Sequence, residues 1–196
     1  MTLAAGEYLR RFTDLLLATQ STNGNGDSLN LDAAMGQVVD RIRQVRNSHG
    51  VVLLVGNGGS AAIASHMQND ISKAAGIKAL VFTEQPLLTA LTNDNGYDTA
   101  FEFNTNLWAA RGDLMIAISS SGSSENILRA SRAALNAGAN LVTMSGFKSD
   151  NQLRSLGEVN LYVASSMYGY VETAHAALGH YLTDAAAGLL DNAGDK

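Results

Sequence analysis

Leu9, Phe12, Leu15, Leu16 and Leu17 recur at near-helical spacing, which predicts an amphipathic helix over about residues 2–20. The polar stretch from Ser21 to Ser28 reads as a glycine-rich loop. A second helix is predicted from about Leu31 to His49, with Met35, Val38, Val39, Ile42 and Val45 along one face. From residue 51 the texture changes. Val51 to Val55 is a short continuous apolar run that ends at glycines, as expected of a parallel strand buried on both faces. Similar runs follow at Ala79 to Phe82, Leu114 to Ile118, Leu141 to Met144 and Val159 to Val163. Helical patterns separate them, notably Ala61 to Ala74 and Ser124 to Ala137, and a last helix is expected from about Tyr170 to Leu190. Strands alternating with helices predict an open α/β sheet with right-handed crossovers. Ligands of such sheets bind beyond the carboxyl ends of the strands.

The chain has 196 residues, which suits one domain, and 46% of them are hydrophobic, enough for a sizeable core. Charged residues make up 16%, below the roughly 25% of an average soluble protein. So little charge hints at surface buried between subunits. The two leading helices carry apolar stripes and no catalytic-looking residues, so packing or contacts between chains is expected of them. The net charge of −5 offers no overall basic field for a nucleic-acid backbone. Without cysteine, disulfides, thiolate catalysis and cysteine-ligated metal sites are excluded. No apolar run approaches the ~20 residues of a membrane span, and the first residues do not read as a signal peptide, so a cytoplasmic protein without membrane partners is expected.

Two loops at predicted strand ends could hold a phosphate. Gly56-Asn57-Gly58-Gly59-Ser60 lets a backbone approach a ligand closely and opens a helix whose free N–H groups favour an anion. Ser119-Ser120-Ser121-Gly122-Ser123-Ser124 places five hydroxyls around one glycine. Serines and glycines also make ordinary turns and caps, but two such loops on one sheet favour a phosphate site. Gly56-x-Gly58-x-x-Ala61, with Glu84 at the end of the next strand, loosely fits a dinucleotide fingerprint. That short motif leaves the serine loop unexplained, so no nucleotide cofactor is expected.

His66 and Asp70 lie four apart on one helical face, while Glu172, His175 and His180 lie on the last helix. Glu172 and His180 are two turns apart and can point broadly one way. A carboxylate and an imidazole suit aldose–ketose isomerisation, in which a proton leaves one carbon and returns to its neighbour through an enediol. Two histidines and two carboxylates could equally bind a divalent metal that polarises the carbonyl.

The segments VLLVGNGGSAAIASHMQND, Asn93-Asp94-x-Gly96, AISSSGSSENIL and ETAHAALGH are similar to those of the phosphoheptose isomerases, sedoheptulose-7-phosphate isomerases built on a sugar-isomerase (SIS) domain. The resemblance implies a flavodoxin-like three-layer sandwich with a five-stranded parallel sheet and two N-terminal helices. Residues 1–49 would be a helical extension for oligomerisation on a single domain of residues 1–196, whose α/β core is 50–196. It implies a homotetramer with active sites at subunit interfaces, and interconversion of sedoheptulose 7-phosphate and D-glycero-D-manno-heptose 7-phosphate. By position, Ser60, Ser119, Ser120, Ser121 and Ser124 would bind the phosphate, with Gly58, Gly59 and Glu172 also at the substrate, and Asn57 and Asp94 would hold sugar hydroxyls. Asp70 falls at the catalytic base and His180 at the acid/base histidine; His66, Asp70, Glu172 and His180 match positions that bind zinc in some members. Two positions depart from the family pattern. Asp70 stands where glutamate is usual, and Glu172 where glutamine is usual. Relatives of this fold also include non-catalytic binding proteins and sugar-phosphate sensors.

Overall fold

The structure is a computed structural model and describes residues 2–191. Each apolar run forms a strand: β3 (Val52–Gly56), β4 (Ala79–Val81), β5 (Leu114–Ser119), β6 (Asn140–Ser145) and β7 (Val159–Tyr162). These five are parallel and lie in the order β7-β6-β5-β3-β4, the flavodoxin-like arrangement. Alternate residues face opposite layers, as strand geometry requires. Leu54, Ile116, Val142 and Leu161 meet α2 (Leu31–Asn47), α3 (Gly59–Lys73) and α7 (Tyr168–Ala186) on one side. Leu53, Met115, Ala117 and Leu141 meet α5 (Ala100–Trp108) and α6 (Glu125–Asn136) on the other. The three-layer sandwich follows directly.

Three differences from the sequence reading stand out. Among the described residues the sheet has seven strands, because β1 (Gln20–Asn23) and β2 (Ser28–Leu29) form a hairpin within the stretch read as a loop. β1 pairs antiparallel with β7, so the sheet is mixed. The turn is built by Asn23, whose Oδ1 accepts from the N–H groups of Asn25 and Asp27 at 2.9 Å each. The hairpin carries no apolar alternation, and backbone pairing with β7 supplies what its side chains do not. Second, the crossover from β4 to β5, for which the sequence reading named no helix, contains α4 (Gln85–Asn95) and α5. Third, the two leading helices pack differently. α1 (Ala5–Leu17) has no fully buried residue, but α2 buries Ala34, Met35, Val38, Val39, Ile42 and Val45 in the core shared with the sheet.

The switch point of the sheet lies between β3 and β5, since β3 continues into α3 on one face and β5 into α6 on the other. Both candidate loops leave the sheet there.

Candidate functional site

A pocket of about 350 Å³ opens between these loops. Asn57, Gly58, Gly59 and Ser60 line one side, Ser119, Ser120, Ser121 and Ser124 the other, and Tyr168 and Glu172 from α7 complete it. The serine loop is folded partly on its own hydroxyls: Ser119 Oγ accepts from Gly122 N–H at 3.2 Å and donates to Ser124 Oγ at 3.4 Å. Gly122 has φ +61°, and a Cβ there would collide with Asn151, so the position admits only glycine. Ser120 Oγ is buried without a hydrogen-bond partner among the described residues. An acceptor-rich occupant of the pocket could satisfy donors of this kind. A Cβ at Gly59 would meet the carboxylate of Glu172, which would have to swing aside.

A second pocket, of about 220 Å³, lies further along α3, where that helix packs on α7. His66 and Asp70 reach it from α3, and His180 from α7. Asp70 Oδ2 sits 3.5 Å from His66 Nε2 and 3.6 Å from His180 Nδ1. The two imidazoles meet edge to face at 4.7 Å. The other carboxylate oxygen, Oδ1, accepts from Asn69 Nδ2 at 2.9 Å, which leaves Oδ2 as the oxygen facing the imidazoles. One ligand atom from each of His66, Asp70 and His180 lies within 4.8 Å of the others.

Glu172 does not join this cluster. It precedes His180 by eight residues, about 12 Å along a helix, and its carboxylate lies over Gly59 in the serine pocket instead. Within one chain, three of the four expected metal ligands come together. Asp94 is also elsewhere: it is exposed on the last turn of α4, beside Asn93, and lines neither pocket. From the same segment it is Tyr97 that reaches the site, donating its hydroxyl to Asn57 Oδ1 at 2.7 Å. Glu84, the candidate ribose partner, caps α4 by accepting from Leu87 N–H at 3.0 Å.

The SIS domain family matches residues 7–146, a segment that holds both loops, His66 and Asp70 and ends before α7. A phosphoheptose isomerase of Aliarcobacter butzleri is 33% identical over 147 residues, spanning 72% of this chain and 75% of the relative. The phosphoheptose isomerase of Syntrophotalea carbinolica is 33% identical over 168 residues, spanning 79% and 85%. The chain belongs to the phosphoheptose isomerase family of SIS-domain proteins. Its fold is that of a solved phosphoheptose isomerase from Neisseria gonorrhoeae, with a TM-score of 0.80 over 93% of this chain and 94% of that one at 24% identity.

This family member also carries a histidine outside both pockets. His175 is fully buried, and its Nε2 lies 3.1 Å from the carbonyl oxygen of Ser145, which makes Nε2 the protonated nitrogen. Nδ1 has no partner among the described residues, so His175 does not pair with Glu172. Burial pushes its pKa from 6.5 down to about 4, only partly opposed by the bond to Ser145. The unfolded chain therefore binds more protons between these values, and folding stability falls as pH drops through that window. The loss from this group is roughly 3 kcal/mol by pH 4. Urea denaturation at pH 7 and pH 4.5 checks this: His175→Gln should flatten the pH dependence, and a variant as acid-sensitive as the parent would contradict it.

Proposed function

We propose that this protein is an aldose–ketose isomerase of a phosphorylated sugar, converting sedoheptulose 7-phosphate to D-glycero-D-manno-heptose 7-phosphate. The observation that carries the proposal is the placement of two chemistries along α3: a hydroxyl-lined pocket at its first turn and a His–Asp–His cluster further on. Ser60 and His66 are about 9 Å apart in helical rise along α3. A sugar whose phosphate sits among the serines directs its carbonyl end toward Asp70 and His180. Asp70 Oδ2 takes the proton from the carbon beside the carbonyl, giving an enediol, and His180 serves as the acid/base partner that moves protons at the oxygens. Incubation with sedoheptulose 7-phosphate, followed by phosphorus NMR, should show a second heptose phosphate; an unchanged spectrum counts against the assignment.

Two imidazoles and a carboxylate form the donor set of an open zinc site, so His66, Asp70 and His180 would hold that ion, and Asp70 and His180 would have to leave it to act as base and acid. Zinc bound there would polarise a carbonyl oxygen. Protein purified without added metal should carry close to one zinc per chain. His66→Ala should lose it, whereas Glu172→Gln should keep it, because Glu172 stands apart from the cluster. Less than about a tenth of an equivalent in the parent would contradict the metal site.

The active form is proposed to be a cytoplasmic homotetramer with sites where subunits meet. Support comes from α1, whose Phe12, Leu15 and Leu16 pack beside α7 while Leu9 and Leu17 stay 60% and 73% exposed. The double substitution Leu9→Glu, Leu17→Glu should yield smaller species in sedimentation with unchanged circular dichroism. An intact tetramer would refute the role of α1. No helix among the described residues is long and apolar enough to cross a membrane.

A further inference from the structure

Asn57 lies in the turn between β3 and α3 and lines the serine pocket. Its side chain is held by a chain of hydrogen bonds whose polarity starts in the backbone. The N–H of Ile127, which cannot reverse, is shared between the Ser124 carbonyl and Asn126 Oδ1, at 3.0 Å each. That oxygen also accepts from Asn57 Nδ2 at 2.9 Å, and Asn126 Nδ2 donates back to Asn57 Oδ1 at 2.9 Å. Tyr97 then donates its hydroxyl to the same Asn57 Oδ1 at 2.7 Å. An amide oxygen has two lone pairs and an amide nitrogen two protons. Both lone pairs of Asn57 Oδ1 are thus filled, and one of its two protons is given to Asn126. A single N–H remains for anything bound in the pocket.

We infer that Asn126 and Tyr97 are positioning residues that lock Asn57 as a one-proton donor, so that this point of the pocket selects a ligand oxygen with a free lone pair and rejects an ammonium group. Turning the Asn57 amide over would set oxygen against oxygen and N–H against N–H at Asn126. Asn126 cannot turn to relieve this, because it is buried and its oxygen faces the Ile127 N–H. The lock also fixes the side chain before a ligand arrives, which removes part of the ordering cost of binding. It further ties the 3₁₀ turn Tyr97–Thr99 to the glycine loop, joining two segments far apart in the chain.

The ligand side of this inference rests on the sugar-phosphate reading, whereas the lock itself belongs to the free protein. Two measurements separate them. In the free protein, nitrogen-15 NMR should show slowly exchanging side-chain amide protons for Asn57 and Asn126, and Tyr97→Phe should speed exchange at Asn57. Rapid exchange at both asparagines in the parent would overturn the lock whatever the pocket binds. By titration with sedoheptulose 7-phosphate, Asn57→Ala and Asn126→Asp should each weaken binding about tenfold, and Tyr97→Phe between about two- and tenfold. Placed in the Asn57→Ala background, Asn126→Asp and Tyr97→Phe should cost nothing more, because both act through Asn57. Undiminished losses there would make both residues merely structural and overturn the inference. Tyr97 is exposed, so its variant keeps the test open even if Asn126→Asp fails to fold. A parent protein that binds no sugar phosphate while its asparagine amides exchange slowly would sink the proposed substrate and leave the lock standing.

Discussion

Replacement of Asp70 by Asn should lower isomerase turnover at least about 100-fold, the usual scale of acid/base catalysis, with sugar-phosphate affinity close to that of the parent. The substitution keeps the shape of the side chain, and an amide oxygen can still accept from Asn69 Nδ2. What disappears is the basic oxygen that lies 3.5 Å from His66 Nε2 and 3.6 Å from His180 Nδ1. Affinity should survive because the proposed phosphate contacts lie in the other pocket, at the first turn of the same helix. Steady-state kinetics on Asp70→Asn decide the point. Near-normal turnover would require a base elsewhere, and a rise in KM alone would turn Asp70 into a binding residue.

The triple substitution of Ser119, Ser121 and Ser124 by Ala should weaken sugar-phosphate binding by several kcal/mol, since each hydrogen bond lost to a charged acceptor costs about 1.5–3 kcal/mol. Among the described residues no cationic side chain lines this pocket, and Glu172 adds a negative charge to it. Hydroxyls and backbone N–H groups would then carry the proposed phosphate. The loop should keep its course without the hydroxyls, because Gly122 N–H also donates to the carbonyl of Ser119 at 3.0 Å and Leu153 N–H to the carbonyl of Gly122 at 3.0 Å. Calorimetric titration with a phosphorylated sugar checks the prediction. Unchanged affinity in a correctly folded triple variant would remove the phosphate from the serine loop.

The five parallel strands were legible because each is an uninterrupted apolar run, a pattern that burial on both faces imposes. The serine and glycine loops were legible because they interrupt those runs at the carboxyl ends. His66 and Asp70 could be paired from spacing alone, since four residues bring two side chains onto one face. Angular agreement is not proximity, however. Glu172 and His180 share a broad face of α7, yet the helical rise sends one to the serine pocket and the other to Asp70. The hairpin at Gln20–Leu29 escaped because backbone hydrogen bonding to β7, and not an apolar pattern, makes it a strand. Asn126 lay inside a quoted motif and Tyr97 just after another, but nothing in their spacing showed that both converge on Asn57. For α2 the sequence left packing and contacts between chains open, because an apolar stripe does not say whether its partner is the same chain or another.

The central claim is proton transfer beside the carbonyl of a sugar phosphate, and isotope incorporation tests it most directly. The protein is incubated with sedoheptulose 7-phosphate in deuterium oxide and followed by proton NMR. The enediol route predicts an aldoheptose 7-phosphate bearing deuterium on the carbon next to its carbonyl, with both the product and the label lost in Asp70→Asn. A ketose that stays unchanged and unlabelled through prolonged incubation with the parent protein would contradict the account.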